Sequence, residues 1–307
     1  MALTDDPQAA TGRLLLVDKI IIGYAAIATA AALSMLHVTS RNGMIALGHA
    51  LMIPLPFLVR RPGLGRVGRL LGDIYPILLI APLYLALDVL HGPGLPVVND
   101  ALVQSWDKAV FGVMWSEEWW RRYPSAFWST LLHGAYWGYY LIVPAPVAYF
   151  LARGDHRALR RVILLEMGTF LFCYLWFVFF PVAGPYYMFP RPTGVMLDNP
   201  MAHLVYATLK DGGSFGAAFP SSHVAAATSA VIGAWLGDRR LGAFLTLPAI
   251  LLAIGTVYCH MHYAIDASTG LLVGIAVPLV LLRVASSEFR VASQGEHVNS
   301  ELETRDS

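Results

Sequence analysis

The sequence predicts an all-α fold, a polytopic bundle of membrane-spanning helices. Three observations carry this. Hydrophobic residues make up 57% of the 307-residue chain and charged residues only 13%, against roughly 25% charged in ordinary soluble domains. Apolar runs close to the ~20 residues a spanning helix needs recur along the chain. Arginine gathers in the connections that fall on one side of the resulting layout. The formal net charge of +1 gives no basis for nucleic-acid binding. Cys173 and Cys259, the two cysteines, do not make a disulfide framework and read as reduced, space-filling thiols.

About eight spans are expected, near residues 20–37, 43–59, 71–90, 127–150, 162–180, 220–236, 241–258 and 264–283. Residues 1–12 are polar and aperiodic, and are expected to be disordered. The small residues of "ATAAAL" resemble the end of a signal peptide, but the long lead-in with its acidic "DDP" favours a retained span. Spans one and two, with the basic loop "RRPGLGRVGR" after them, make residues 13–70 an N-terminal addition to a core at 71–283. Segment 91–126 carries Trp106, Trp115, Trp119 and Trp120 and reads as short interfacial helices. Arg153, Arg157, Arg160 and Arg161 separate spans four and five, and "GDRR" separates six and seven. Arg283 and Arg290 follow span eight, in or beside a polar tail, 284–307, that is expected to be disordered. These basic places share one side with both termini. The positive-inside rule makes that side cytoplasmic and puts segments 38–42, 91–126, 181–219 and 259–263 on the other face. The cations of the outer segments, among them Arg41, Lys108 and Lys210, are spread thinly by comparison.

Most polar groups suited to chemistry lie in three outer stretches: "PVAGPYYMFPRP" at 181–192, "SFGAAFPSSHVAAAT" at 214–228 and "YCHMHYAID" at 258–266. In the second, Pro220-Ser221-Ser222-His223 opens an Ala-rich helix. Proline and serine suit a first helical turn, and a helix N-terminus attracts anions, so His223 would place a proton donor beside a bound anion. A plain capped helix start explains the same residues. In the third, His262 and Asp266 stand four apart, on one helical face. The carboxylate could fix one imidazole nitrogen and leave the other as a directed base or nucleophile, or the pair could simply pin helices together. His260 lies two residues from His262 and so on a different face, as a bystander. His133, Glu166 and Asp88 read first as packing or hydrogen-bonding groups.

"PSSH" followed by "HYAID", with one helix between, resembles the type 2 phosphatidic acid phosphatase superfamily, whose P-S-G-H and H-x-x-x-D motifs open two membrane helices in this way. The family's six-helix core would then cover residues 71–283. The closer resemblance is to the inositol phosphorylceramide synthase and sphingomyelin synthase branch. "FGAAFPSSH" is similar to its F-G-x-x-P-S-x-H, "HMHYAIDASTG" to its H-H-Y-x-x-D, "AGPYY" to its G-P-P-x-Y and "WDKAVFG" to a D-x-x-L-F-G stretch, the first two with one inserted residue. Two positions depart from the phosphatase pattern. Gly184 stands where phosphatases have lysine and Thr256 where they have arginine. A site with fewer cations suits a phosphodiester monoanion better than a monoester dianion.

The resemblance implies that His262 attacks phosphorus, Asp266 orients it, and His223 serves as acid and then base. It also implies that Ser221, Ser222 and Arg191 hold phosphate oxygens and that Tyr186 and Tyr187 line the head-group site, although both tyrosines also suit interfacial anchoring. The scheme needs no metal or other cofactor, and its partners are membrane lipids. Two alternatives stand beside head-group transfer: a lipid phosphate phosphatase of the same superfamily, and a transporter or non-catalytic membrane scaffold.

Overall fold

A computed structural model describes residues 13–37, 40–91 and 98–303. The expected disordered stretch 1–12 and the last four residues lie outside them. The helices, in chain order, begin with α1 Leu16–Ser34, α2 Arg41–Met52, α3 Leu55–Val59, α4 Gly65–Leu78 and α5 Ile80–His91. Two short outer helices follow, α6 Asp100–Phe111 and α7 Trp115–Arg122. Then come α8 Ala126–Trp137, α9 Tyr139–Ile142, α10 Pro144–Ala152, α11 His156–Phe179, α12 Pro185–Met188 and α13 Pro200–Gly212. The chain closes with α14 Ser222–Gly237, α15 Arg239–Tyr258 and α16 Ala264–Glu303. Among the described residues there is no strand, only one parallel bridge between Val182 and Ala217.

Six helical segments are long and apolar enough to cross a membrane: Leu16–Ser34, Arg41–Val59, Val67–Asp88, His156–Phe179, Arg239–Tyr258 and Ala264–Ser286. The other two expected spans differ in form. Span four is interrupted, because Gly138 and then Pro144 divide it into α8, α9 and α10. Proline has no N–H to continue the ladder and glycine resists it least when the chain bends. Span six is α14, only 16 residues long. A second difference lies at the C-terminal end. The helix of span eight runs on to Glu303 instead of ending at 283, since nothing after Pro278 removes a backbone donor.

Helix α11 is the axis of the packing. Its buried face includes Leu159, Val162, Phe170, Tyr174 and Phe177, and it packs on α1, α14 and α16. Large apolar side chains such as Phe244, Leu247 and Leu272 point outward, as they do where lipid replaces water. Helices α14 and α16 approach at backbone distance. A Cβ on Gly270 would lie 2.5 Å from the Ser221 carbonyl oxygen, and one on Gly274 would lie 2.6 Å from that of Ala225. Small residues allow such contact between membrane helices, and here they bring the "PSSH" and "HYAID" helix starts together.

Candidate active site

The site is assembled on α6. Asp100, Gln104 and Asp107 are spaced four and three residues apart, so they share one helical face. Asp100 is buried and accepts three hydrogen bonds: from Ala183 N at 2.7 Å, from Gly184 N at 2.9 Å and from the Tyr263 hydroxyl at 2.9 Å. One carboxylate thereby ties the "AGPYY" loop to the stretch containing His262. Gln104 donates to the same Tyr263 hydroxyl at 2.9 Å. Asp107 Oδ1 accepts from Ile265 N at 2.8 Å, in the first turn of α16. A carboxylate there satisfies an orphan N–H and complements the helix dipole. Burial raises the Asp107 carboxyl pKa, against the pull of the Ile265 and Ala264 N–H groups. The loop before α14 is held too: Val182 N donates to Gly216 O at 3.0 Å and Ala218 N to Val182 O at 2.9 Å.

On this frame the two histidines meet. His262 Nε2 faces His223 Nδ1 at 3.5 Å. His262 Nδ1 lies 3.4 Å from Asp266 Oδ2, longer than a hydrogen bond of good geometry. That oxygen accepts instead from Tyr263 N at 2.9 Å, and Asp266 Oδ1 has no partner. The expected His–Asp pairing is therefore present only as proximity, with His262 standing just before α16, which begins at Ala264. The "PSSH" and "HYAID" stretches are also joined by backbone, Ser221 N donating to Asp266 O at 3.0 Å. Ser221 is the N-cap of α14, its side chain accepting from Val224 N at 3.4 Å, and Ser222 is buried beside it.

The turn that presents His262 has an identifiable cause. The Thr256 carbonyl accepts from both Met261 N at 3.0 Å and His262 N at 2.9 Å, and His260 sits at φ 64°. That left-handed conformation is uncommon outside glycine. It turns His260 away from His262 and onto Glu117 of α7, which also pairs with Arg121 at 2.6 Å. Burial would raise the Glu117 carboxyl, but His260 and Arg121 outweigh it and hold its pKa below the usual range. His260 thus stands apart from the His223–His262 pair and anchors α7, through the turn at 259–263 and not through the helical spacing expected, since neither histidine lies in a helix.

Burial pushes the His262 imidazole down to about 4, opposed by the Ala218 carbonyl. Folded His262 then takes a proton less readily than an unfolded histidine, near 6.5. Its contribution to stability is intact above pH 6.5 and is lost as pH falls toward 4. The thermal midpoint in detergent is expected to fall over that window, and His262→Ala to flatten the fall. An equally steep fall in the variant would contradict this reading of the burial.

The remaining expected residues divide. Tyr186 packs in the aromatic cluster of Tyr136 and Tyr258. Arg191 donates to the Tyr186 hydroxyl at 2.9 Å and lies over the Tyr186 and Tyr206 rings, at 5.0 and 5.3 Å. It is exposed on this aromatic wall, and no hydrogen bond or ion pair joins it to either histidine. Tyr187 is also exposed, with its ring against Phe215 at 5.3 Å. His133 is bonded to Ser129 through Nδ1, at 2.9 Å to the carbonyl and 3.0 Å to the hydroxyl, in keeping with a packing role. Asp88 accepts from Phe215 N at 3.2 Å, while both oxygens of buried Glu166 lack a partner.

Sequence reasoning missed five contributors. Asp100, Gln104 and Asp107 supply the frame on α6. Tyr136 and Tyr139 flank His223, with ring centroids 5.0 and 4.5 Å away, and the Tyr136 hydroxyl is 3.3 Å from His223 Nε2. Their signal was the three-residue spacing in "HGAYWGYY", which puts both on one face.

The two positions that depart from the phosphatase pattern also have structural reasons. Gly184 has φ 85°, and a Cβ there would lie 2.8 Å from Ala218 Cβ, so a lysine would be strained twice over. The Thr256 hydroxyl is turned onto its own helix, donating to Ala253 O at 2.7 Å. A family model described as the PAP2 superfamily matches residues 103–280, a range that contains His223, His262 and Asp266. No curated protein and no solved structure matches the chain.

Proposed function

The chain belongs to the PAP2 superfamily, and from that premise we propose that it is a membrane lipid phosphotransferase moving a phospho-alcohol head group from a phosphodiester lipid to a lipid hydroxyl. A lipid phosphatase or phosphotransferase activity in general follows from the family. The choice of transfer rests on one observation, the pair Gly184 and Thr256. Neither supplies a cation, and at Gly184 even a Cβ would lie 2.8 Å from Ala218 Cβ. A monoester dianion would meet too little positive charge here, whereas a diester monoanion asks for less.

In the proposed reaction, His262 Nε2 forms an N–P bond as the P–O bond to the leaving alcohol breaks. His223 delivers the proton to that leaving oxygen, then takes one from the incoming hydroxyl as its oxygen displaces the histidine from phosphorus. Asp266, on the far side of His262, stabilises the charge on the ring. Asp266 and His262 are buried, which strengthens that interaction. Helix α14 aims its N-terminus at the phosphate, with Ser221 and Ser222 in its first turn. Tyr136 and Tyr139 hold the His223 ring in place, and Tyr186, Tyr187 and Arg191 form an outer wall for the head group. The arginine distribution supports a site on the extracytoplasmic face with both termini cytoplasmic.

The test is purified full-length protein in mixed micelles with phosphatidylinositol as donor and ceramide as acceptor, run beside phosphatidate and an isoprenyl pyrophosphate as monoester-type substrates. Head-group transfer to the acceptor is the expected product. If only inorganic phosphate from phosphatidate or an isoprenyl pyrophosphate appears, the protein is a phosphatase and the proposal is wrong.

A further inference from the structure

We propose a second ligand site, for the phosphate of an anionic lipid head group, at the end of the bundle opposite the histidines. Helix α11 measures the separation. Arg160 lies in its first turns, whereas Pro181, just past its other end, is bonded to Asn99 beside Asp100. Twenty helical residues span about 30 Å, the thickness of a hydrocarbon core.

There α1, α4 and α11 surround a small open cleft, with about 30 Å³ of enclosed space, whose polar lining is Arg13, Arg60, Arg61, Arg69, Asp73 and Arg160. Two buried carboxylates organise its base. Asp18 accepts from Arg60 at 2.9 and 3.1 Å and from the Tyr75 hydroxyl at 2.6 Å. Asp73 accepts from Arg160 at 2.7 Å, faces His156 at 3.1 Å and lies 3.6 Å from Arg60. These pairs fix Arg60 and Arg160 as a rigid floor. Arg13, Arg61 and Arg69 form no ion pair or side-chain hydrogen bond among the described residues. Five guanidiniums therefore face two carboxylates, and the surplus sits at the mouth.

Positive-inside topology asks only for arginines in loops. It does not ask that Asp18 from the first span and Arg160 from α11 build a common floor under them. Guanidinium forks match phosphate oxygens bidentately, and basic clefts at the cytoplasmic ends of spans suit anionic head groups. The ligand chemistry is a phosphate-bearing anion, and its two possible sources, a lipid or free phosphate, are separable by experiment.

The probes are phosphatidylglycerol in mixed micelles, phosphatidylcholine as the zwitterionic control, and inorganic phosphate in lipid-free detergent. Each is titrated against the thermal midpoint of the full-length protein and of an Arg61→Gln/Arg69→Gln variant. Phosphatidylglycerol is expected to stabilise the protein saturably, with an apparent affinity that falls about tenfold or more in the variant. Inorganic phosphate doing the same in its place would identify a free anion as the ligand and overturn the lipid assignment. Stabilisation that survives the double substitution, or is absent from the start, would overturn the site itself. Lipid binding at the histidine face would survive that substitution, so the two sites are read separately.

Discussion

His262→Ala is expected to lower turnover of any lipid this protein accepts by about three orders of magnitude or more, with the protein still monodisperse in detergent. The two ring nitrogens of His262 face different partners, His223 on one side and Asp266 on the other. A ring so placed can do directed chemistry, and in the proposed reaction its loss would remove the step rather than weaken it. His223→Ala should cost a comparable amount, because the same ring would serve both the leaving and the incoming oxygen. Residues that act as a unit are not additive. The double variant should accordingly be no slower than about tenfold below the worse single one. Initial rates with one lipid pair decide the matter. Residual activity within tenfold of wild type in His262→Ala would remove this histidine from the chemistry, whichever phospholipid is turned over. A transporter or scaffold would show no turnover to lose.

The parts of this site that were readable in the sequence are the local ones. His262 and Asp266 stand four residues apart, and Ser221 caps the helix that carries His223, so spacing alone exposes both units. What the sequence hides is contact over long separations. Asp100 meets Tyr263 and Asp107 meets Ile265 across more than 150 residues, and an aspartate on a short outer helix can pair with almost anything. Helical spacing of Asp100, Gln104 and Asp107 was visible, but not what their face would touch. The same limit explains Arg191. As the one arginine of its segment it reads as a phosphate ligand, yet its reach depends on where the Tyr186 and Tyr206 rings stand. Among the spans, hydropathy found span four but not its breaks, since Gly138 and Pro144 change the backbone without lowering the apolar content of the window.

Asp100→Ala is expected to be the most damaging substitution outside the histidine pair. Three donors would be left without their acceptor: the N–H groups of Ala183 and Gly184 and the hydroxyl of Tyr263. Asp100 is buried, so water does not readily replace it. At roughly 1–3 kcal/mol for each unsatisfied donor, the loss should reach about 3 kcal/mol or more. Tyr263→Phe is the internal control. It removes one of the three bonds, together with the Gln104 donation to the same hydroxyl, but leaves Asp100 with both backbone donors, so it should cost less, about 1–2 kcal/mol. Asp100→Asn should fall between them, because the amide oxygen can still accept from Gly184 N and the Tyr263 hydroxyl while the NH2 group faces the Ala183 N–H, which it cannot bond. Denaturation midpoints of the three variants in one detergent give the order. A loss for Asp100→Ala no greater than that for Tyr263→Phe would mean that the loop containing Gly184 is held by other contacts. The order also bears on activity. Tyr263 adjoins His262 in the chain, so a folded Asp100→Ala protein should lose turnover number more than apparent lipid affinity. Its carboxylate acts on the reaction only through the position of the ring beside it.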